Sequence, residues 1–379
     1  MKPSTHRPTQ AIINLAAIQA NIENFKKYTG NNTDIWAVVK ANGYGHGAND
    51  VAQCANDLVS GFCVSNLDEA IELRSHGIVK PILVLSGIVP EDIHIAVNLR
   101  VTVTVPSLDW LKLVAQHLED VEIEHLKFHI KVDSGMGRIG VTTAEEANAI
   151  IALADQYGMV FDGIFTHFAT ADEAAQEKFE SQWTRFETIV AAITRRPKYV
   201  HSSNSAAGIW HKETIQDIER LGDAMYGLNP SGSMLKMTYN ITPALELKSE
   251  LMHIKTINKG ETVGYGAEFI ADKPTIVGTV PIGYADGWTR DMTGFYVLVN
   301  GKKCQIIGRI SMDQMTIALN ETLPIGTKVT LMSTTFEQGL VFTDNDQSSI
   351  NEAINVKLKD MAAASDGLES FRIPTLEDL

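Results

Sequence analysis

Over the first 240 residues or so, short apolar runs alternate with longer amphipathic stretches at a regular beat. The runs at 34–40, 62–66, 81–87, 101–105, 126–133, 161–168, 198–204 and 216–222 have the length and the β-branched or aromatic content of strands. Between them, 47–58, 67–76, 107–118, 143–157 and 174–194 place apolar residues at helical spacing. Alternating strands and helices make βαβ units and a parallel sheet. The count is eight, which closes a barrel, so the expected fold class is α/β with a (β/α)8 TIM barrel. An open doubly wound sheet is the competing arrangement.

The rhythm then changes. Residues 244–257 read as one long strand-like run. Apolar stretches around 275–287, 295–310, 314–319 and 327–332 follow, separated by Gly, Asn and Pro. Asn300-Gly301 between two such stretches signals a two-residue hairpin. The barrel is therefore expected over 14–241 and a mostly-β domain over 242–379. The strand-like segment 10–13 precedes the barrel's first strand by a helix and is expected to join the second domain's sheet.

Length agrees with this division. A barrel takes about 250 residues, and the chain has 379. At 44% hydrophobic and 21% charged residues it has the composition of a globular protein. The net charge of −14 disfavours nucleic acid and anionic membrane as partners, while leaving room for a local cationic pocket. Cys54, Cys63 and Cys304 form neither a disulfide framework nor a zinc set, and no His/Asp/Glu spacing resembles a metal site. The start lacks a secretory apolar segment, and no run is long enough to span a membrane. A cytoplasmic location is expected.

In a barrel the reactive side chains stand at the carboxyl ends of the strands. That rule selects Lys40 at the end of the first strand, Lys131 and Asp133 at the end of the fifth, and Arg138 in the glycine-rich turn that follows. It also selects His167, Asn204 with Ser205, and Arg220 with Gly222 and Asp223. A lysine at the end of a buried strand is costly unless it has a role, and desolvation makes an amine nucleophilic. Lys127, His129, Lys131 and Asp133 alternate with apolar residues, so this polar row should face the barrel interior. The loops after strands seven and eight are where barrels often hold phosphate. Gly43–Gly47 reads as a tight loop around a small ligand rather than a dinucleotide fingerprint.

These residues sit in blocks that resemble the alanine racemase family. VVKANGYGHG (38–47) is similar to the family's pyridoxal-phosphate lysine motif. KVDSGMGRIG (131–140), THFATAD (166–172), SNSAA (203–207), ERLGDAMYGLNP (219–230), VGYGAEF (263–269), PIGYADGW (281–288) and GRISMDQ (308–314) follow in family order. The resemblance implies a pyridoxal 5′-phosphate enzyme that racemises L- and D-alanine by a two-base mechanism and supplies D-alanine for peptidoglycan. It implies that Lys40 carries the cofactor and serves one face of the substrate, while Tyr265 of a partner subunit serves the other. Tyr44, Asn204, Ser205, Gly222 and Asp223 would contact the phosphate. Arg220 would face the pyridine nitrogen, and His167 would link it to Tyr265. Arg138 and the partner subunit's Met312 would bind substrate, with Asp313 of the partner subunit in support. Tyr284 and Arg309 would line the entryway, and Lys131, carbamylated in some members, would orient Arg138.

The implied assembly is a homodimer with shared active sites. Two departures stand out. No tyrosine follows Tyr296, where the family usually has a late phosphate contact, and the tail reads as a helix that aligns poorly. A serine or broad-specificity racemase, or a catalytically weak paralogue, is the alternative these departures suggest. A decarboxylase of the same fold lacks its Cys-Asp motif here, and a cofactor carrier would lack the β domain.

Overall fold

The computed structural model describes residues 6–30, 33–116, 126–232 and 234–333. The chain divides into two compact units. Among the described residues, one runs from Leu15 to Pro243; the other joins the segment ending at Asn14 to the one beginning at Ala244.

Strand β1 (Gln10–Ile13) belongs to the second unit. The barrel strands follow: β2 (Asp34–Val38), β3 (Gly61–Val64), β4 (Ile82–Val84), β5 (Val103–Val105), β6 (Lys127–Lys131), β7 (Val160–Phe165), β8 (Tyr199–His201) and β9 (Ile218–Leu221). Each lies on one of the eight apolar runs. They pair in parallel as β4-β3-β2-β9 and β5-β6-β7-β8. The Leu83–Thr102 and Asn204–Arg220 bridges join the two halves, so the ring closes. The barrel, not the open sheet, is the fold.

Inside the ring, large side chains stand beside glycines. A Cβ on Gly163 would lie 2.6 Å from the His129 ring, and one on Gly61 would lie 2.8 Å from the Trp36 indole. His129, Lys131 and His201 are buried with them, as the alternation along β6 requires.

The second unit contains β10 (Leu245–Glu250), β11 (His253–Ile257), the short pair β12 (Thr262–Val263) and β13 (Phe269–Ile270), then β14 (Thr275–Val280), β15 (Tyr296–Val299), β16 (Lys302–Ile307), β17 (Met315–Leu319) and β18 (Lys328–Met332). Eight of these strands, β1 included, form one antiparallel sheet in the order β1-β10-β18-β15-β16-β17-β14-β11. Segment 10–13 pairs with β10. Asn300 and Gly301 take φ of 49° and 73° between β15 and β16, the left-handed pair that a tight hairpin needs.

The run 244–257 is a correction. It is two strands, because the chain turns a corner at buried Leu251. Leu251 N–H donates to Thr327 and the next amide, Met252 N–H, donates to Thr279. Consecutive amides therefore serve opposite sides of a curled sheet. The tail read as helical lies outside the described residues, as does the end of the 107–118 segment. No helix among the described residues is long and apolar enough to cross a membrane.

Candidate active site

A cavity of about 760 Å³ opens at the carboxyl ends of the barrel strands. Ten of the barrel residues singled out from the sequence line it: Lys40, Tyr44, Lys131, Arg138, His167, Asn204, Ser205, Arg220, Gly222 and Asp223. Lys40, Lys131, Arg138 and Arg220 outnumber Asp172 and Asp223 in the lining. In a chain of net charge −14 this lining is locally cationic.

Lys40 does not end a strand, as the sequence suggested. The strand stops at Val38, and Lys40 opens a short turn, Lys40–Tyr44. Ala41, Asn42, Gly43 and Tyr44 all take positive φ there, a left-handed turn that costs roughly 1–2 kcal/mol per non-glycine residue. Local hydrogen bonds hold it. Glu69 accepts from Ala41 N–H and from Ser65 N–H, each at 2.6 Å. Asn42 Oδ1 accepts from Ala48 N–H at 2.9 Å, and Tyr226 Oη donates to Val38 O at 2.9 Å. Glu69 was missed in the sequence because the first turn of a helix reads as a solvated face.

The desolvated lysine is Lys131 rather than Lys40. Lys131 is buried while Lys40 is partly exposed. Burial, with Arg220 and Arg138 nearby, brings the Lys131 pKa down to about 7. Its Nζ donates to Val132 O at 2.8 Å and lies 5.4 Å from the Phe165 ring centroid. Arg138 follows in a loop that Asp133 ties by accepting from Gly135 N–H and Gly137 N–H at 2.9 and 3.0 Å.

Arg220 is buried at the cavity floor. It donates through Nη2 to Thr166 O and Ser202 O at 2.8 and 2.9 Å, with His167 Nδ1 at 3.5 Å. Through Nη1 it donates to His201 Nδ1 at 2.7 Å. Below it, His201 and His129 are joined at 2.9 Å, and His129 Nε2 stands 3.8 Å from Asp162. Burial first, then the Arg220 charge, pushes the His167 and His201 pKa values well below the usual histidine range. Both are neutral near pH 7. His201 and Asp162 were missed in the sequence; an inward-facing polar residue on a barrel strand was the available signal.

On the far side, Ser205 Oγ accepts from Gly222 N–H at 2.9 Å and Ala224 N–H at 3.4 Å, with its own O–H still to donate. A Cβ on Gly222 would lie 2.8 Å from Tyr44 Oη, so a side chain there would fill this corner. Asn204 caps the following helical turn through Ala207 N–H at 3.0 Å.

The remaining candidates lie in the β unit. Tyr265 sits on a turn between Gly264 and Gly266, both with positive φ, and is 65% exposed. Arg309 pairs with Glu268 beside it. Tyr284 lies under the Arg290 guanidinium at 4.9 Å. Met312 is 53% exposed and Asp313 is exposed.

Comparison with known proteins bears on this arrangement. Residues 13–230 match the family model "Alanine racemase, N-terminal domain", and 244–359 match "Alanine racemase, C-terminal domain". An alanine racemase of Lactococcus lactis subsp. cremoris is 59% identical over 344 residues, covering 91% of this chain and 93% of its own. Alanine racemase from E. faecalis superposes with a TM-score of 0.89 at 41% identity, covering 97% of this chain and 98% of that one. The Bacillus anthracis enzyme with bound L-Ala-P gives 0.86 at 35%, with 95% and 94% covered.

Proposed function

This chain belongs to the alanine racemase family, and on that premise we propose that it interconverts L- and D-alanine with pyridoxal 5′-phosphate held in the Lys40 cavity. The supply of D-alanine for peptidoglycan follows from the same reading. The observation that carries it is the convergence on one cationic cavity of a lysine, a buried arginine and a Ser205–Gly222 corner.

These residues fit the cofactor. Ser205, Gly222, Tyr44, Asn204 and Asp223 would hold its phosphate, Arg220 would face its ring nitrogen, and Lys40 would carry it. Bound there, pyridoxal phosphate supplies the electron sink that acidifies the substrate's α proton.

Racemisation takes that proton from one face and returns one to the other, so two bases must flank the α carbon. Lys40 Nζ moves a proton on one face. Tyr265 of a second copy moves it on the other, which makes the working unit a homodimer with shared sites. The 65% exposure of Tyr265 within one chain supports its use outside that chain.

Arg220 offers N–H groups but no titratable proton near neutral pH, so it would donate to a ring nitrogen facing it and would not protonate it. Neutral His167 lies between Arg220 and the position proposed for the second copy's Tyr265. Arg138 takes the substrate carboxylate, with Met312 of the second copy against the substrate and Asp313 of that copy in support. Lys131, once carbamylated, would accept from Arg138 and fix it. Tyr284 and Arg309 line the entry.

Purified protein supplied with pyridoxal phosphate should convert L-alanine to D-alanine, followed by polarimetry. Lys40→Ala should abolish it. Full activity in Lys40→Ala overturns the proposal, and a kcat/KM higher for serine than for alanine favours the broader racemase.

A further inference from the structure

We propose that Arg7 is a positioning residue for the active site, locking together the two loops that carry Tyr284, Met312 and Asp313. The inference rests on the function proposed above.

The two loops, 281–287 and 311–313, interlock through their backbones. Tyr284 N–H donates to Ser311 O at 3.1 Å, and Ala285 N–H donates to Met312 O at 3.0 Å. Gly283 makes this approach possible, since a Cβ there would lie 2.3–2.5 Å from the Ser311 and Met312 carbonyls. Neither loop has a strand ladder of its own in these residues. Each loop has backbone bonds of its own, but these two adjacent bonds join the loops at one point, which leaves their relative orientation to be fixed by further contacts.

Arg7 supplies that constraint. Its Nη1 donates to Asp286 Oδ1 at 2.7 Å and its Nη2 to Asp286 Oδ2 at 2.8 Å, a bidentate pair. Nη2 also donates to Pro281 O at 2.6 Å and, through a shared hydrogen, reaches Asp313 O at 3.3 Å. One guanidinium therefore bonds both loops. Asp286 is itself tied to the first loop, accepting from Gly283 N–H at 3.0 Å. Arg7 is fixed in turn by its neighbour Thr9, which donates to Pro281 O at 2.8 Å and shares a 2.8 Å bond with Ser249 on β10. Strand β1 then anchors the whole segment to β10.

The residue type matters. A guanidinium offers a planar fork that matches a carboxylate while leaving N–H groups for carbonyls. A lysine at this position could keep the charge pair but not all four bonds. The pair is about one-fifth to one-third exposed, so water competes for it only in part.

Amide hydrogen exchange on the full chain, together with steady-state racemisation, tests this. In Arg7→Ala, exchange at Tyr284 and Ala285 should rise about tenfold or more while the β14 and β17 amides stay unchanged. In the same variant kcat/KM for alanine should fall about tenfold, carried mainly by KM. Arg7→Lys should lie between, and it carries the test alone if Arg7→Ala does not fold.

Unchanged exchange at Tyr284 and Ala285 overturns the proposal. So does faster exchange there with kcat/KM within about twofold of the parent. Exchange reads the positioning without reference to activity, so an inactive parent would count against the proposed function alone.

Discussion

Arg220 donates to His201 Nδ1 at 2.7 Å, and that one bond sets the proton positions of everything beneath it. An arginine can only donate, so His201 Nδ1 accepts. A neutral His201 then carries its hydrogen on Nε2 and donates to His129 Nδ1 at 2.9 Å. His129 in turn carries its hydrogen on Nε2, aimed at Asp162. A directed chain of hydrogen bonds thus runs from the Arg220 cation at the cavity floor through His201 to His129, with the Asp162 carboxylate 3.8 Å beyond. Side-chain ¹⁵N NMR should find both histidines as Nε2–H tautomers that do not titrate between pH 6 and about 8. A protonated Nδ1 on either would break the chain.

Lys131 should make the apoprotein's stability depend on pH in a particular direction. Its pKa of about 7 in the folded chain lies below the ordinary 10.5. The unfolded chain binds more protons between those values, so the Lys131 contribution rises with pH across that window and is level outside it. Lys131→Met should lack this rise in denaturant titrations. The neutral amine should also add carbon dioxide. ¹³C-bicarbonate should give a carbamate signal in the parent protein and none in Lys131→Met.

Glu219 should act in the opposite sense. It is fully buried beside Gly208, and burial raises its pKa to about 8 against an ordinary 4.5. The folded chain binds more protons between those values, so the Glu219 contribution falls as pH rises from about 4.5 to 8. Glu219→Gln should remove this fall and be more stable than the parent at pH 9 by a few kcal/mol, on the order of 3. Equal stability there would mean that the carboxyl is not kept protonated by the fold.

The left-handed turn after Lys40 should depend on Glu69. Glu69→Gln leaves one acceptor oxygen where two backbone N–H groups are served, at a cost of about 1–3 kcal/mol. Because Ala41 follows Lys40 directly, kcat/KM should fall by about the same free energy, roughly 5- to 150-fold, at temperatures where the variant is fully folded. Asp68→Asn, on the same helix turn, should change neither. Parent-like kinetics in Glu69→Gln would show that the turn holds without it.

The barrel was legible in the sequence because each of its strands is covered on both faces and so reads as a continuous apolar run. Chemistry was legible where polar residues interrupt such runs at their carboxyl ends, as at Lys131, His167 and Arg220. Three kinds of feature were not. Strand ends ran too long at 81–87 and 198–204: the ladders stop at Val84 and His201, and the residues Leu85-Ser86-Gly87 and Ser202-Ser203-Asn204 that follow carry no stop signal strong enough to mark the end. The corner at Leu251 was hidden because its residue suits either side of the bend. Glu69, Asp286 and Arg7 act through bonds to distant parts of the chain, and spacing carries no trace of a partner 28 or 279 residues away.

The two-base reading, with Lys40 on one face and Tyr265 on the other, is tested most directly by Tyr265→Phe. Loss of the α deuterium from labelled L- and D-alanine should be followed separately in protein supplied with pyridoxal phosphate. The expected result is asymmetric. Exchange should persist with one enantiomer, where Lys40 serves, and fall by about 10²–10⁴ with the other. Small and equal losses with both enantiomers would contradict it.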